Sequence, residues 1–381
     1  MALSIQQGKG GRNQLTQLAT SVAGIYGTFL TWAYLQEKLT TTGYGPTEER
    51  WRYPVFLNTV QSILAAMVGA GYLIMTKGGS DKSIPAVIPS REMLIPLLIV
   101  SVTSSLASPV GYASLGYIDY VTFLLAKSCK LLPVMFIHVL LFRRRYPRYK
   151  YLVVGAVTLG VAVFTLSSSS ASTKKNSKRR SSSNESDASL LWGLSLLSVN
   201  LLFDGLTNAT QDYIFHSFRP YSGPQMMCAN NVISSLVTTS YLLAGPFLAA
   251  FAGPTLASSI GLDDEALRAG GELSAALAFV ARNPSVCKDI LGFALCGAVG
   301  QVFIFYTLST FSSVLLVTIT VTRKMFTMIL SVVAFGHRLS RTQWLGVALV
   351  FGGIGVEAAI ARREKLAAEA AGRLAADKKK S

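Results

Sequence analysis

The sequence predicts an all-α membrane protein whose ten transmembrane helices form a 5+5 inverted repeat. Three observations carry that expectation. Of the 381 residues, 51% are apolar and only 14% charged, with a mean hydropathy of +0.43, whereas ordinary soluble domains carry about 25% charged residues. Ten runs are apolar over lengths near the roughly 20 residues that a helix needs to cross a bilayer. Finally, an offset of 193 places Phe142 on Phe335, Arg145 on Arg338, Arg148 on Arg341, Gly160 on Gly353 and Lys130 on Arg323. Each half then holds five spans, an odd number, so the two copies must run in opposite directions through the membrane.

Taken in order, the first span, Leu18 to Gln36, follows a polar tail and runs on into Gln36-Glu37-Lys38. It therefore reads as a retained helix that also targets the chain, not as a cleaved leader. Pro54 to Met75 and Met93 to Ala113 are apolar throughout. Tyr120 to Phe142 is apolar but carries Lys127 and Lys130 near its middle, and Tyr151 to Leu166 follows the cations Arg143, Arg144, Arg145, Arg148 and Lys150. The stretch Ser167 to Ser189, rich in Ser, Lys and Arg, cannot bury a core and is expected to be a disordered linker.

The second half begins with Leu190 to Phe215, which contains Asp204, Asn208, Gln211 and Asp212, and Met226 to Phe247, which contains Asn230 and Asn231. A soluble loop over about Ala249 to Ser285 is expected to hold one short Ala/Leu-rich helix. Val286 to Leu308 carries Gln301, Phe311 to Phe335 carries Arg323 and Lys324, and Trp344 to Ala361 closes the set. The expected organisation is a tail (1–17), a five-helix repeat (18–166), the linker (167–189), a second repeat (190–361) and a basic tail (362–381).

The cations are costly where they stand. The fourth and ninth spans each contain 13 Leu, Ile, Val or Phe residues, which favour insertion by roughly 4–8 kcal/mol. Two central cations oppose this by about 5–7 kcal/mol. Such charges are tolerated where they face protein or a water-filled cavity. Lys127 and Lys130, three apart, share one helix face that suits an anion.

Other chemistries find little support. The histidines His138, His216 and His337 show no metal-ligand spacing, and Cys129, Cys228, Cys287 and Cys296 show no metal or disulfide pattern. Neither a GxSxG nor a kinase-like set appears. The net charge of +16 is concentrated beside spans, where orienting charges sit, so no nucleic-acid partner is expected.

Charge also orients the chain. With both termini cytosolic, Arg143 to Lys150 and the basic tail are cytosolic, while the acidic Asp263-Asp264-Glu265 segment is lumenal. The basic linker is then lumenal, against the rule, and its Asn184-Glu185-Ser186 sequon would be open to glycosylation. Lys378 and Lys379 occupy the dilysine positions of an endoplasmic reticulum retrieval signal, which a coat reads on a cytosolic tail.

Several motifs together resemble a known family. Gly24-Ile25-Tyr26-Gly27 leading to Gln36-Glu37, Lys127-Ser128-Cys129-Lys130, Asp204-Gly205 with Gln211-Asp212, Gly300-Gln301 and Thr320-Val321-Thr322-Arg323-Lys324 look like the fungal UDP-galactose transporter homologs. These belong to the nucleotide-sugar transporters of the drug/metabolite transporter superfamily, and the resemblance spans roughly residues 18 to 361. It implies a ten-helix inverted-repeat fold and exchange of a nucleotide sugar for a nucleotide, with no cofactor. Cys228-Ala229-Asn230-Asn231 is similar to the FYNN motif of the GDP-mannose branch but lacks its aromatic pair. Thr320 to Lys324 stands where that branch has GALNK, keeping the lysine and replacing an amide by Arg323, which argues against a guanine nucleotide.

The leading expectation is an antiporter that brings UDP-galactose or UDP-glucose into the lumen as UMP returns. Lys127, Lys130, Arg323 and Lys324 would neutralise the diphosphate, Asn230, Asn231 and Gln301 would bond base or sugar, and Glu37 completes the candidate substrate-binding set. Exchange of ATP for ADP fits four cations equally well and stays open. A membrane-embedded enzyme lacks an acid/base pair, and a structural role leaves the cations unexplained. The expected partners are nucleotide sugar and nucleotide, the lipid bilayer and the retrieval coat, with a homodimer left open as one assembly.

Overall fold

The computed structural model describes residues 2–76, 85–128, 147–175, 183–218, 220–259, 271–310, 313–337 and 339–378. Among them are eleven α-helices: α1 (Ala2–Thr41), α2 (Pro54–Thr76), α3 (Leu94–Ser114), α4 (Tyr120–Ser128), α5 (Arg148–Lys175), α6 (Ser183–Ser217), α7 (Gly223–Ser259), α8 (Glu272–Arg282), α9 (Val286–Thr310), α10 (Ser313–Ala334) and α11 (Arg341–Lys378). A small antiparallel hairpin, β1 (Gly43–Tyr44) and β2 (Glu49–Arg50), joins α1 to α2. Six helices among the described residues are long and apolar enough to cross a membrane: α2, α3, α5, α6, α9 and α11.

All ten expected runs fall on helix where they are described; the fourth is described only as far as Ser128 and the ninth only from Ser313. Two boundaries differ from expectation. The loop expected from Ala249 begins later, because α7 continues to Ser259 in spite of Gly253-Pro254, the two weakest helix formers. Helix also occupies part of the Ser-rich stretch, through Lys175 and again from Ser183. That stretch contains neither Gly nor Pro to break a helix.

The chain divides into two compact units, each built from one piece of either half. The first comprises Met1–Tyr120 and Glu185–Thr310; the second comprises Val121–Asn184 and Phe311–Ser381. The breaks after Tyr120 and Thr310 stand 190 positions apart. Helix starts repeat in the same way. Leu94 of α3 and Val286 of α9 are 192 positions apart, and Arg148 and Arg341 are 193 apart.

In the first unit α1 lies along α9, and α2 packs on α7 and α9. Glycine permits this closeness: a Cβ on Gly24 would stand 2.5 Å from the Phe303 ring, and one on Gly300 would stand 2.7 Å from Phe29. The hairpin and α8 then close one end of these helices around Trp51, Tyr53, Leu57, Phe279 and Ile290. Trp51 meets Phe279 edge to face at 5.4 Å, a favoured geometry for aromatic rings.

The start of α2 depends on this cap. Pro54 is preorganised for a first helical turn and has no N–H to satisfy. The next two donors, the N–H groups of Val55 and Phe56, donate to Glu272 Oε1 at 2.8 and 3.1 Å. Burial pushes the Glu272 carboxyl up to about 7, against the opposing pull of these two hydrogen bonds.

In the second unit α5 packs along α11, and α10 also contacts α11. Its core joins Val121 and Leu125 of α4, Val153, Val157 and Phe164 of α5, Met328 of α10, and Val347 and Val350 of α11.

Candidate functional site

Within the second unit, α4 and α10 bring two of the expected cations together. Lys324 Nζ donates to the main-chain carbonyl of Lys127 at 3.5 Å. Lys127 Nζ stands 5.0 Å from the centre of the Phe123 ring, within cation–π range. Lys127, Arg323 and Lys324 are all half-buried, a state in which charge still reaches solvent or solute. Thr327 Oγ1 donates to the Arg323 carbonyl at 3.0 Å, one turn further along α10. Lys130 lies outside the described residues.

The expected amides sit in the first unit, and they separate into two roles. Asn231 on α7 donates to Gln301 Oε1 on α9 at 3.2 Å and to the Met227 carbonyl at 2.7 Å. Asn230 turns the other way, since one helical residue rotates a side chain by roughly 100°. Its Oδ1 accepts from Ser101 Oγ on α3 at 3.1 Å, and its carbonyl also accepts from that hydroxyl at 3.3 Å.

Glu37 is 1% exposed. Its neighbour Gln36 links two tyrosines: Tyr120 donates to Gln36 Oε1 at 3.2 Å, and Gln36 Nε2 donates to Tyr112 Oη at 3.4 Å. The next residue, Lys38, pairs with Asp289 at 2.8 Å. Asp289 also accepts from Tyr44 Oη at 2.8 Å.

Several buried polar contacts were not legible as such. Thr103 and Thr207 hydroxyls meet at 2.7 Å, and Asn200 Nδ2 donates to the Ala107 carbonyl, joining α3 to α6. Thr103 and Thr207 belong to a residue type too common in membrane helices to be chosen by polarity alone, whereas Asn200 carries the same signal as Asn231, a polar amide within an apolar run. Asp212 is exposed near the end of α6. Gly160 and Gly353 meet neighbouring side chains or backbone, whereas Gly155 and Gly352 face open space.

Among the described residues no group of three or more His, Cys, Asp or Glu is placed to hold a metal ion. Cys228, Cys287 and Cys296 are free thiols, and Cys129 lies outside the described residues. Lys378 ends α11, and Lys379 lies outside the described residues.

Comparison with known proteins fits this helical, cation-bearing architecture. The model of the UAA transporter family matches residues 17–361. The chain belongs to the UAA transporter family. It is 51% identical to "UDP-galactose transporter homolog 1" of Aspergillus fumigatus over 94% of this chain and 88% of the relative. It is 52% identical to the protein of that name in Emericella nidulans, over 93% of this chain and 85% of the relative. Identity to the Yarrowia lipolytica protein is 46%, over 92% and 88%. As a UAA transporter the protein is a multi-pass helical membrane protein and a carrier of solutes, not an enzyme.

Proposed function

We propose that this UAA transporter carries UDP-galactose, UDP-glucose or both into the endoplasmic reticulum lumen in exchange for UMP. The observation that carries this reading is the Lys324 to Lys127 contact, which gathers cations within one unit of a membrane transporter. The names of the relatives supply the substrate class. Lys127, Lys130, Arg323 and Lys324 form the diphosphate clamp, with Arg323 offering a planar fork and the lysines compact point charges. Asn231 and Gln301 bond base or sugar, whereas Asn230 serves mainly to hold α7 to α3.

The organisation proposed is ten spans in a 5+5 inverted repeat with both termini cytosolic. Helix starts that recur at 192 or 193 positions and unit breaks 190 apart support the repeat. Rocking of one repeat against the other would give alternating access. The tail lysines Lys378 and Lys379 keep the protein in the endoplasmic reticulum, and Glu37 lines the substrate path.

Counterflow in proteoliposomes tests this function. Vesicles preloaded with UMP are expected to drive uptake of labelled UDP-galactose or UDP-glucose. Uptake indifferent to internal nucleotide rejects exchange, and uptake of ATP driven only by internal ADP replaces the substrate assignment.

A further inference from the structure

At one end of the second unit, Tyr149 Oη donates to Glu364 Oε1 at 2.9 Å. These residues stand at the ends of two apolar spans, Arg148–Thr165 and Arg341–Glu364. The bond therefore marks a depth at which both helices leave the hydrocarbon. Arg148 and Lys150 flank Tyr149, while Arg362 and Arg363 precede Glu364; the three arginines are exposed and Lys150 is half-buried. Two acids oppose these four cations: Glu364 through its bond to Tyr149, and Glu357, which interacts electrostatically with Lys150.

Two physical arguments say what covers this surface. The first turn of α5 contains no acidic residue, so its cations crowd the positive end of the helix dipole, where an anion is stabilised. Cations at the end of a span also lie level with lipid headgroups, and such clusters attract anionic phospholipid. We propose that Arg148, Lys150, Arg362 and Arg363 form a binding surface for an anionic phospholipid headgroup, its halves joined by the Tyr149–Glu364 hydrogen bond. Neither basic segment suffices by itself; α5 and α11 must pack to create the surface.

Thermal-shift titration of the purified full-length protein in detergent tests the site, with phosphatidylinositol, phosphatidylcholine and inorganic phosphate as separate probes. Phosphatidylinositol is expected to raise the melting temperature saturably, while the other two do not. Apparent affinity should fall by about fivefold for each cation removed in an Arg148→Gln, Arg362→Gln, Arg363→Gln variant. The corresponding three lysine substitutions should retain binding. Equal titrations of wild type and the glutamine variant overturn the site, as does a response to inorganic phosphate equal to that of the lipid. If the triple variant yields no folded protein, Arg363→Gln carries the test: a loss of about fivefold supports the site and an unchanged titration overturns it.

Discussion

Gly160 of α5 and Gly346 of α11 meet backbone to backbone: a Cβ added to either would lie 2.8 or 2.7 Å from the other's carbonyl oxygen. Close approach of this kind drives helix association in lipid, where no hydrophobic force acts between helices. Gly160→Leu is expected to destabilise the protein by roughly 1–3 kcal/mol or more, since backbone cannot move aside as a side chain can. Gly155→Ala and Gly352→Ala, which meet open space, should be neutral or stabilising by up to about 1 kcal/mol. Melting of the detergent-solubilised variants, followed by size-exclusion chromatography, distinguishes the two classes.

Glu272 makes the cap over α2 sensitive to pH. Its carboxyl is raised from 4.5 to about 7, so between these values the native protein holds a proton that the unfolded chain has released. The stabilising contribution is complete below about 4.5 and is lost as pH rises through about 7. Glu272→Gln, which keeps an acceptor for Val55 and Phe56, should flatten this dependence. Glu272→Ala should cost about 1–2 kcal/mol through loss of the cap. Melting temperature measured from pH 4 to 8, taken as an order-of-magnitude window around these values, checks both.

Lys38 and Asp289 join α1 to α9, with Tyr44 as a third partner. The pair is partly exposed, with side chains at 34% and 12%, so its worth is well below that of a fully buried ion pair. Asp289→Asn should cost roughly 1–2 kcal/mol. Adding Lys38→Met should recover part of the loss, because it removes the cation left behind. A double-mutant cycle on melting free energy reads the coupling.

Alanine at Lys127, Arg323 or Lys324 should reduce exchange by roughly 10–100-fold, the loss expected for one hydrogen bond to a charged group. Lys130→Ala should behave alike if the clamp is complete. Uptake equal to wild type for all four variants, at normal expression, would remove the clamp from the mechanism.

The adjacent asparagines should part company. Asn230→Ala should lower stability by about 1 kcal/mol through its contact with Ser101, with substrate selectivity unchanged. Asn231→Ala and Gln301→Ala should instead raise the KM for nucleotide sugar. Competition by a panel of nucleotides against labelled substrate separates these effects.

Much of the fold was legible because a bilayer imposes simple demands. A spanning helix must be apolar over a known length, so the expected runs fall on helix wherever their residues are described. Cations within such runs are conspicuous for the same reason, and Lys127 and Lys324 do meet. The offset near 193 likewise follows from residues and reappears in helix starts.

What the sequence could not determine was which polar side chain faces which neighbour. Asn230 and Asn231 are chemically identical, yet rotation along α7 sends one to α3 and the other to α9. The cap on α2, the Tyr149–Glu364 bond and the Gly160–Gly346 crossing each join residues more than a hundred positions apart. By itself, the sequence determined the helices and the cost of their charges, because insertion depends on the composition of each segment. Only tertiary structure decided the partners, because hydrogen bonds and close helix crossings depend on distance and rotation between segments.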